Sequence, residues 1–374
     1  MNENYSTGWT INASKNVRYE IRYTADIFEI NDLTLVGNIP NGRRLIVIDS
    51  FILREFRDDI YSYLKANTKD FVIYPVDITE ENKTLDTALS IVQCMENFGL
   101  LRKSEPVIAI GGGSLLNTVG FACSIYRRGV PYLRVPTTLL SIVDVSVAIK
   151  TAINHFGRRN RLGTYYPPEL VLLNRKFIKT QSNRQIANGI GEIVKLAIIN
   201  DFGLFELLEN NASLLFSEKF QYGAIPVKII NKSIITMINN LQSNLFEENL
   251  ERAVDFGHSF SPIIEQNNLP ELLHGEAVAL DCLFSCCISV SRGLMTNSEL
   301  KRVFTTIKNL NLPTFHKDFT NADIIKDALA DTVKHRNGDQ NLPLPSGIGF
   351  FTFINDLTEN DINNAIKIYS KLSN

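Results

Sequence analysis

The chain has 374 residues, 44% hydrophobic and 21% charged, an ordinary balance for a globular protein and more than one hydrophobic core needs. A formal net charge of -2 removes the electrostatic argument for a nucleic-acid partner, which requires a strongly basic face. No apolar run approaches the ~18 residues of a membrane span, the start Met1-Asn2-Glu3-Asn4-Tyr5 lacks a signal-peptide core, and the cysteines (Cys94, Cys123, Cys282, Cys286, Cys287) sit in apolar segments without zinc-site spacing, so a reduced, cytoplasmic protein is expected.

In chain order, the first half alternates strand-like and helix-like stretches. Strands are expected over Arg43-Arg44-Leu45-Ile46-Val47-Ile48-Asp49, Phe71-Val72-Ile73-Tyr74-Pro75-Val76, Pro106-Val107-Ile108-Ala109-Ile110 and Tyr132-Leu133-Arg134-Val135, with a helix over residues 85–98. Strands alternating with helices imply a parallel sheet with crossover helices. From about Asn183 long helical patterns take over, at residues 185–199, 225–241, 276–291 and 359–372. This change of period predicts an α/β fold: a parallel-sheet domain over residues 1–178, then a mainly helical domain over 179–374.

Gly111-Gly112-Gly113 follows the third strand directly, with Ser114 behind it. Glycines there let the backbone approach a ligand and leave N–H groups for a phosphate, although a plain strand-to-helix turn has the same sequence. Asp49 closes the first strand, where an acid can bind a ribose hydroxyl or simply stand in a surface loop. The polar tract Thr79-Glu80-Glu81-Asn82-Lys83-Thr84 could offer Glu80 and Lys83 to a ribose or phosphate, or be an ordinary solvated loop.

Asp144, Lys150, Asn154, Arg158, Arg159 and Asn160 crowd a loop-like region ending in Gly163-Thr164-Tyr165-Tyr166-Pro167-Pro168. Cations and amides at this density suit a sugar phosphate, or equally a solvated basic loop. Two of the five histidines lie in glycine-flanked motifs, Asp255-Phe256-Gly257-His258 and His274-Gly275-Glu276. A catalytic divalent metal wants about three protein ligands and an open position. Glu192 is the candidate third ligand. Asn188, Glu192 and Lys195 stand at i, i+4 and i+7 and share one helix face. A surface ion pair has the same spacing, and spacing alone does not bring residues 192, 258 and 274 together.

These motifs, with Pro136-Thr137-Thr138-Leu139-Leu140, Lys150-Thr151-Ala152-Ile153-Asn154 and Glu192-Ile193-Val194-Lys195 in order, resemble the dehydroquinate-synthase-like sugar-phosphate cyclases over nearly the whole chain. The resemblance implies an NAD-binding α/β domain and a helical domain holding zinc or cobalt through Glu192, His258 and His274. It implies cofactor contacts from Asp49, Glu80, Lys83, Gly111, Gly112, Gly113, Ser114, Asn117, Thr137, Thr138 and Asp144. Catalytic roles fall on Lys150, Asn160, Lys195, Asp255 and His335, and substrate contacts on Asn154, Arg159, Asn188 and Lys334. Arg128 matches a position that reaches a neighbouring subunit's site, which implies a homodimer.

Pro262 stands where dehydroquinate and 2-deoxy-scyllo-inosose synthases carry a second histidine. With Asp255 and Lys334-His335-Arg336-Asn337-Gly338, this is similar to the 2-epi-5-epi-valiolone synthase branch. The resemblance thus implies an NAD- and metal-dependent lyase that cyclises sedoheptulose 7-phosphate with loss of phosphate. The alternatives are dehydroquinate or desmethyl-4-deoxygadusol synthesis, a polyol dehydrogenase, or a catalytically weak homologue. Asn117 and Asn174, where the family usually has acids, and Gly191, where it usually has alanine, depart from the pattern.

Overall fold

The protein is described by a computed structural model covering residues 8–37 and 42–372. Its sheet strands are β1 (Glu20–Tyr23), β2 (Arg43–Asp49), β3 (Asp70–Val76), β4 (Val107–Gly111) and β5 (Tyr132–Pro136). An antiparallel hairpin, β6 (Lys150–His155) and β7 (Arg158–Tyr165), precedes the last of them, β8 (Leu170–Leu173). Among the described residues the sheet is six-stranded and parallel, in the order β1-β8-β5-β4-β2-β3.

Its inner strands β2, β4, β5 and β8 are largely buried without alternation because both faces are covered, while the edge strands β1 and β3 are partly exposed. Ile46 and Ile48 of β2 pack toward helices α1 (Ser50–Glu55) and α2 (Arg57–Asn67), in a cluster with Ile52, Ile60 and Phe177. Leu45 and Val47 face the other way, toward α3 (Leu85–Phe98) and α4 (Gly113–Ile125), with Ile91, Leu115 and Val119.

The second half carries α5 (Asn183–Asn200), α6 (Phe202–Ser217), α7 (Ala224–Leu241), α8 (Ser261–Asn267), α9 (His274–Ser291), α10 (Asn297–Asn309), α11 (Ala322–His335) and α12 (Glu359–Leu372). A small hairpin, β9 (Leu342–Pro345) with β10 (Phe351–Ile354), lies before α12. Helices α5 and α9 form the axis of this part and are buried almost along their whole length. A helix apolar all round belongs inside. Of the charged groups on these two helices, Glu192, Lys195 and Asp281 are the most deeply buried, each at most 3% exposed, and are therefore conspicuous.

The expected strands and helices fall within a few residues of the observed ones. One segment differs. The region of Lys150 to Tyr165, read as loop-like, is the β6–β7 hairpin. Thr151 and Ile153 turn inward while charged neighbours face outward, so composition masks the strand period. Phe156 and Gly157 make its turn with positive φ.

Candidate active site

Close helix crossing builds the site. A Cβ added to Gly191 would lie 2.1 Å from the carbonyl oxygen of Gly275, and one added to Gly275 would lie 1.8 Å from that of Asn188. Backbone therefore meets backbone where α5 crosses the start of α9. Asn188 Oδ1 accepts the Gly275 N–H at 2.6 Å, serving an otherwise orphan donor of the first helical turn. Asn188, expected to touch substrate, thus has its carbonyl oxygen committed to this joint.

The crossing sets Glu192 beside His274, whose Nε2 lies 3.0 Å from Glu192 Oε1. His258 arrives from the turn before α8, where Gly257 has φ +74 and no room for a side chain against Cys282 and Val278. Asp281 holds that turn, accepting the N–H groups of Phe260 at 2.6 Å and Ser261 at 2.7 Å. His258 Nε2 comes to 3.6 Å from Glu192 Oε1. One ligand atom from each of Glu192, His258 and His274 lies within 4.8 Å of the other two.

The remaining atoms of the trio are engaged elsewhere. Glu192 Oε2 takes Lys195 Nζ at 2.6 Å, His274 Nδ1 meets Glu265 Oε2 at 3.0 Å, and His258 Nδ1 meets the Phe256 carbonyl at 3.2 Å. Glu192 Oε1 is buried without a hydrogen bond of good geometry. Two imidazoles oriented through their far nitrogens, with an orphaned carboxylate oxygen between them, are a donor set that fits a divalent cation such as zinc or cobalt. Burial alone would raise the Glu192 carboxyl. Lys195 and the two histidines outweigh it and hold the group well below the ordinary range. Burial, aided by Lys195, depresses His258 to about 4. Burial also opposes charge on His274, yet the Glu265 and Glu192 carboxylates raise it to about 10.

Asp144 sits in the field of Glu192, Lys195, His274 and Lys150. Burial, then the Glu192 charge, raises its carboxyl. Lys195 stays charged despite burial because Glu192 and Asp144 face it.

A second cluster adjoins the first. Glu80 gathers Ser114 Oγ at 2.9 Å, Asn154 Nδ2 at 3.1 Å and Arg159 Nε at 3.0 Å, with Lys83 Nζ at 3.6 Å. Lys83 also donates to Asn160 Oδ1, and Asn154 Oδ1 accepts the Asn160 N–H at 2.9 Å. Arg159 continues to Glu265. The tract around Lys83 is thus no solvated loop: Lys83 is 2% exposed. Residues expected to serve cofactor (Glu80, Lys83, Ser114), substrate (Asn154, Arg159) and catalysis (Asn160) form one network that touches the metal trio through Glu265.

Gly112 caps α4 and Gly113 opens it, with Asn117 one turn further on. Thr138 and Ser141 cap each other beside this glycine turn, and the Thr137 N–H donates to Gly111 O at 3.0 Å. Asp49 Oδ1 caps α1 by accepting the Phe51 N–H at 2.9 Å. Arg128 is exposed on a left-handed turn, φ +61. Lys334 and His335 are exposed at the end of α11.

Sequence reasoning missed four partners. Of the Lys334-His335-Arg336 run, it is Arg336 that reaches Asp255, at 3.5 Å. Arg252 clamps Asp255 at 2.6 Å. Glu265 and Asp281 carry no spacing signal, because their partners lie on other elements. Asn174 has a structural explanation: its amide donates to Thr24 Oγ1 at 3.0 Å and to the Thr24 carbonyl at 3.3 Å. An aspartate could not.

Residues 73–188 match the family 3-dehydroquinate synthase N-terminal, and residues 189–334 match 3-dehydroquinate synthase C-terminal. The chain is 43% identical to a 2-epi-5-epi-valiolone synthase from Streptomyces albus, covering 98% of this chain and 92% of that one. It is 40% identical to another from an Actinoplanes species, over 98% and 94%. Its fold matches the structure of ValA, a 2-epi-5-epi-valiolone synthase from Streptomyces hygroscopicus with NAD⁺ and Zn²⁺ bound. The TM-score is 0.93 at 39% identity, over 97% of this chain and 99% of that one.

Proposed function

Because the chain belongs to the 3-dehydroquinate synthase family, we propose that it is a 2-epi-5-epi-valiolone synthase, cyclising sedoheptulose 7-phosphate with loss of phosphate. The observation that carries this reading is likeness at about 40% identity, over nearly full length, to several synthases of that name. The enzyme uses NAD and a divalent metal, zinc or cobalt. When bound, NAD⁺ supplies a reversible hydride acceptor and the metal a Lewis acid that acidifies a sugar hydroxyl.

Glu192, His258 and His274 would hold the metal, and Glu265 fixes the orientation of His274. Glu80, Lys83, Ser114 and the glycine turn at residues 111–113 would receive the cofactor, with Asp49, Asn117, Thr137, Thr138 and Asp144 around it. Lys195, kept charged by Glu192 and Asp144, would neutralise the phosphate with Lys150 and steady it as it leaves. Asn160, Asn154 and Arg159 would orient the sugar through the network centred on Glu80. Asp255 and His335 would choose the open-chain form, with Asn188 and Lys334 at the margin. The division between sheet and helical parts is taken near residue 178. Arg128, exposed on its turn, would reach the site of a second copy in a homodimer. Among the described residues no helix is long and apolar enough to cross a membrane, and a cytoplasmic location is part of this reading.

The test is phosphate release from sedoheptulose 7-phosphate with NAD⁺ and Zn²⁺ or Co²⁺. A seven-carbon cyclitol product with no accumulating NADH is expected. NADH formed in step with substrate consumed would instead mark a dehydrogenase, and absence of phosphate release would overturn the substrate assignment.

A further inference from the structure

Arg134 lies in the middle of β5, between β4 and β8, opposite Ala109 and Val171. Side chains alternate along a strand, so it shares the α3–α4 face of the sheet with Tyr132. It is fully buried, at 0% exposure. Its partners are backbone carbonyls: Nη1 donates to Val145 O at 2.5 Å and to Ala148 O at 2.7 Å. Among the described residues Nε and Nη2 have no hydrogen bond of good geometry, and the guanidinium carbon lies 5.4 Å from the Tyr132 ring centre. A charge in the interior is costly without a counter-charge, and an aliphatic side chain would fill a central strand at lower cost. What Arg134 adds is a charge-assisted grip on two carbonyls.

Those carbonyls end a wide helical turn over Ser141–Val145, in which the Ser146 N–H donates to Ser141 O, five residues back, at 2.9 Å. A helical turn leaves its last carbonyls without partners. Here Arg134 takes Val145 and Ala148, and the Tyr19 hydroxyl, just before β1, donates to Val147 O. The gripped segment leads from Asp144, inside the turn, to Lys150, which opens β6. It also packs on the glycine turn: a Cβ added to Gly113 would lie 3.2 Å from Val145 Cγ2.

Resting on the reading that places NAD at the glycine turn with Asp144 beside it, we propose that Arg134 is a positioning residue for the cofactor. Through the Val145 and Ala148 carbonyls it fixes Val145 against Gly113 and holds Asp144 in place, and Tyr19 assists through Val147. A segment released from this grip has more conformations, and NAD⁺ must then order it on binding, which weakens affinity. The metal trio answers to a different joint, the crossing of α5 and α9 at Gly191 and Gly275. Loss of the grip therefore separates the two cofactors: NAD⁺ binding falls and Zn²⁺ binding stays.

The test titrates NAD⁺ and, separately, Zn²⁺ into the full metal-stripped chain by calorimetry, in wild type, Arg134→Gln, Arg134→Lys and Tyr19→Phe. Arg134→Gln, neutral and shorter, should weaken NAD⁺ binding by about tenfold or more, the scale of charge-assisted hydrogen bonds lost. Arg134→Lys, whose ammonium keeps the charge and enough donors for two carbonyls, should restore most of the affinity. Tyr19→Phe, which deletes one hydroxyl, should weaken NAD⁺ by about three- to fivefold, and it decides the matter alone if Arg134→Gln does not fold. Zn²⁺ affinity should stay within about twofold of wild type throughout. Unchanged NAD⁺ affinity in the folded variants overturns the proposal, and so does an equal fall for NAD⁺ and Zn²⁺, the mark of a merely structural role. Gly113→Ala, which sets a methyl against Val145, tells this failure from that of the underlying reading. If Gly113→Ala weakens NAD⁺ and the Arg134 and Tyr19 variants do not, the role of Arg134 alone falls. If none of them does, the placement of NAD at the glycine turn falls with it.

Discussion

Gly191 and Gly275 touch backbone to backbone, with 2.1 Å between the Gly275 carbonyl oxygen and the place a Gly191 Cβ would occupy. Two of the metal trio depend on that contact, since Glu192 and His274 are the next residues along on either side. Gly191→Ala should push α5 from α9 and destabilise the fold by about 2 kcal/mol, the scale of overpacking a close-packed joint. Urea unfolding measures the loss. Zinc titration of the folded fraction should show weaker binding, and unchanged affinity would mean that the crossing does not set the ligand geometry.

Glu265 holds the far nitrogen of His274 at 3.0 Å and is 3% exposed. Replacing such an outer partner typically weakens metal binding by about 10- to 100-fold. Glu265→Gln should do so in a competition assay with a chromophoric chelator. It should also change the visible absorption of the cobalt-loaded protein while leaving NAD⁺ affinity in place.

Binding only to the folded state stabilises it, so stripping the metal by chelation should lower the melting temperature. The wild type should regain it on adding Zn²⁺ back. The variant His258→Ala should melt at the same temperature with or without zinc if the trio is the metal site.

Asn174 is 2% exposed, and its amide faces the oxygens of Thr24. Asn174→Asp would set a carboxylate against them and should cost about 2 kcal/mol of stability, the scale of a buried donor replaced by an acceptor. NAD⁺ affinity should stay at the wild-type value. A selective fall in cofactor affinity would instead assign Asn174 to the nucleotide site.

Glu80 has its carboxyl pushed down to about 2 from an ordinary 4.5: burial opposes the shift, and Lys83 and Arg159 outweigh it. A depressed carboxyl stabilises the fold above its unfolded value and loses that contribution as pH falls through the folded one. The stability difference between wild type and Glu80→Gln should therefore be largest above about pH 5, up to about 3 kcal/mol, and shrink steadily toward pH 2. Denaturant titrations at stepped pH would show it. A difference that does not change across this window would mean that Glu80 ionises as in the unfolded chain.

Much of this site was legible because its signals are local. The glycine triplet after an apolar strand, the i, i+4, i+7 face of Asn188, Glu192 and Lys195, and two glycine-flanked histidines are patterns over a few residues. The β6–β7 hairpin was not, since its outward charges hide the period of two. His335 is a second example: it shares its segment with Arg336, but the end of α11 exposes one side chain and buries the other.

Sequence by itself determined the alternation of strand and helix, the change to a helical second half, and the residue types able to hold a metal. It also carried the resemblance that pointed to NAD. Tertiary structure alone decided that Glu192, His258 and His274 meet. It also decided that Glu265 and Arg159 join the metal trio to Glu80, and that Arg134 grips the carbonyls of Val145 and Ala148. The reason is physical. Helical and strand periods are set by neighbouring backbone groups, and so are written in short windows of sequence. Convergence of distant side chains depends on how closely two helices can approach, which here is settled by the absence of a Cβ at Gly191 and Gly275.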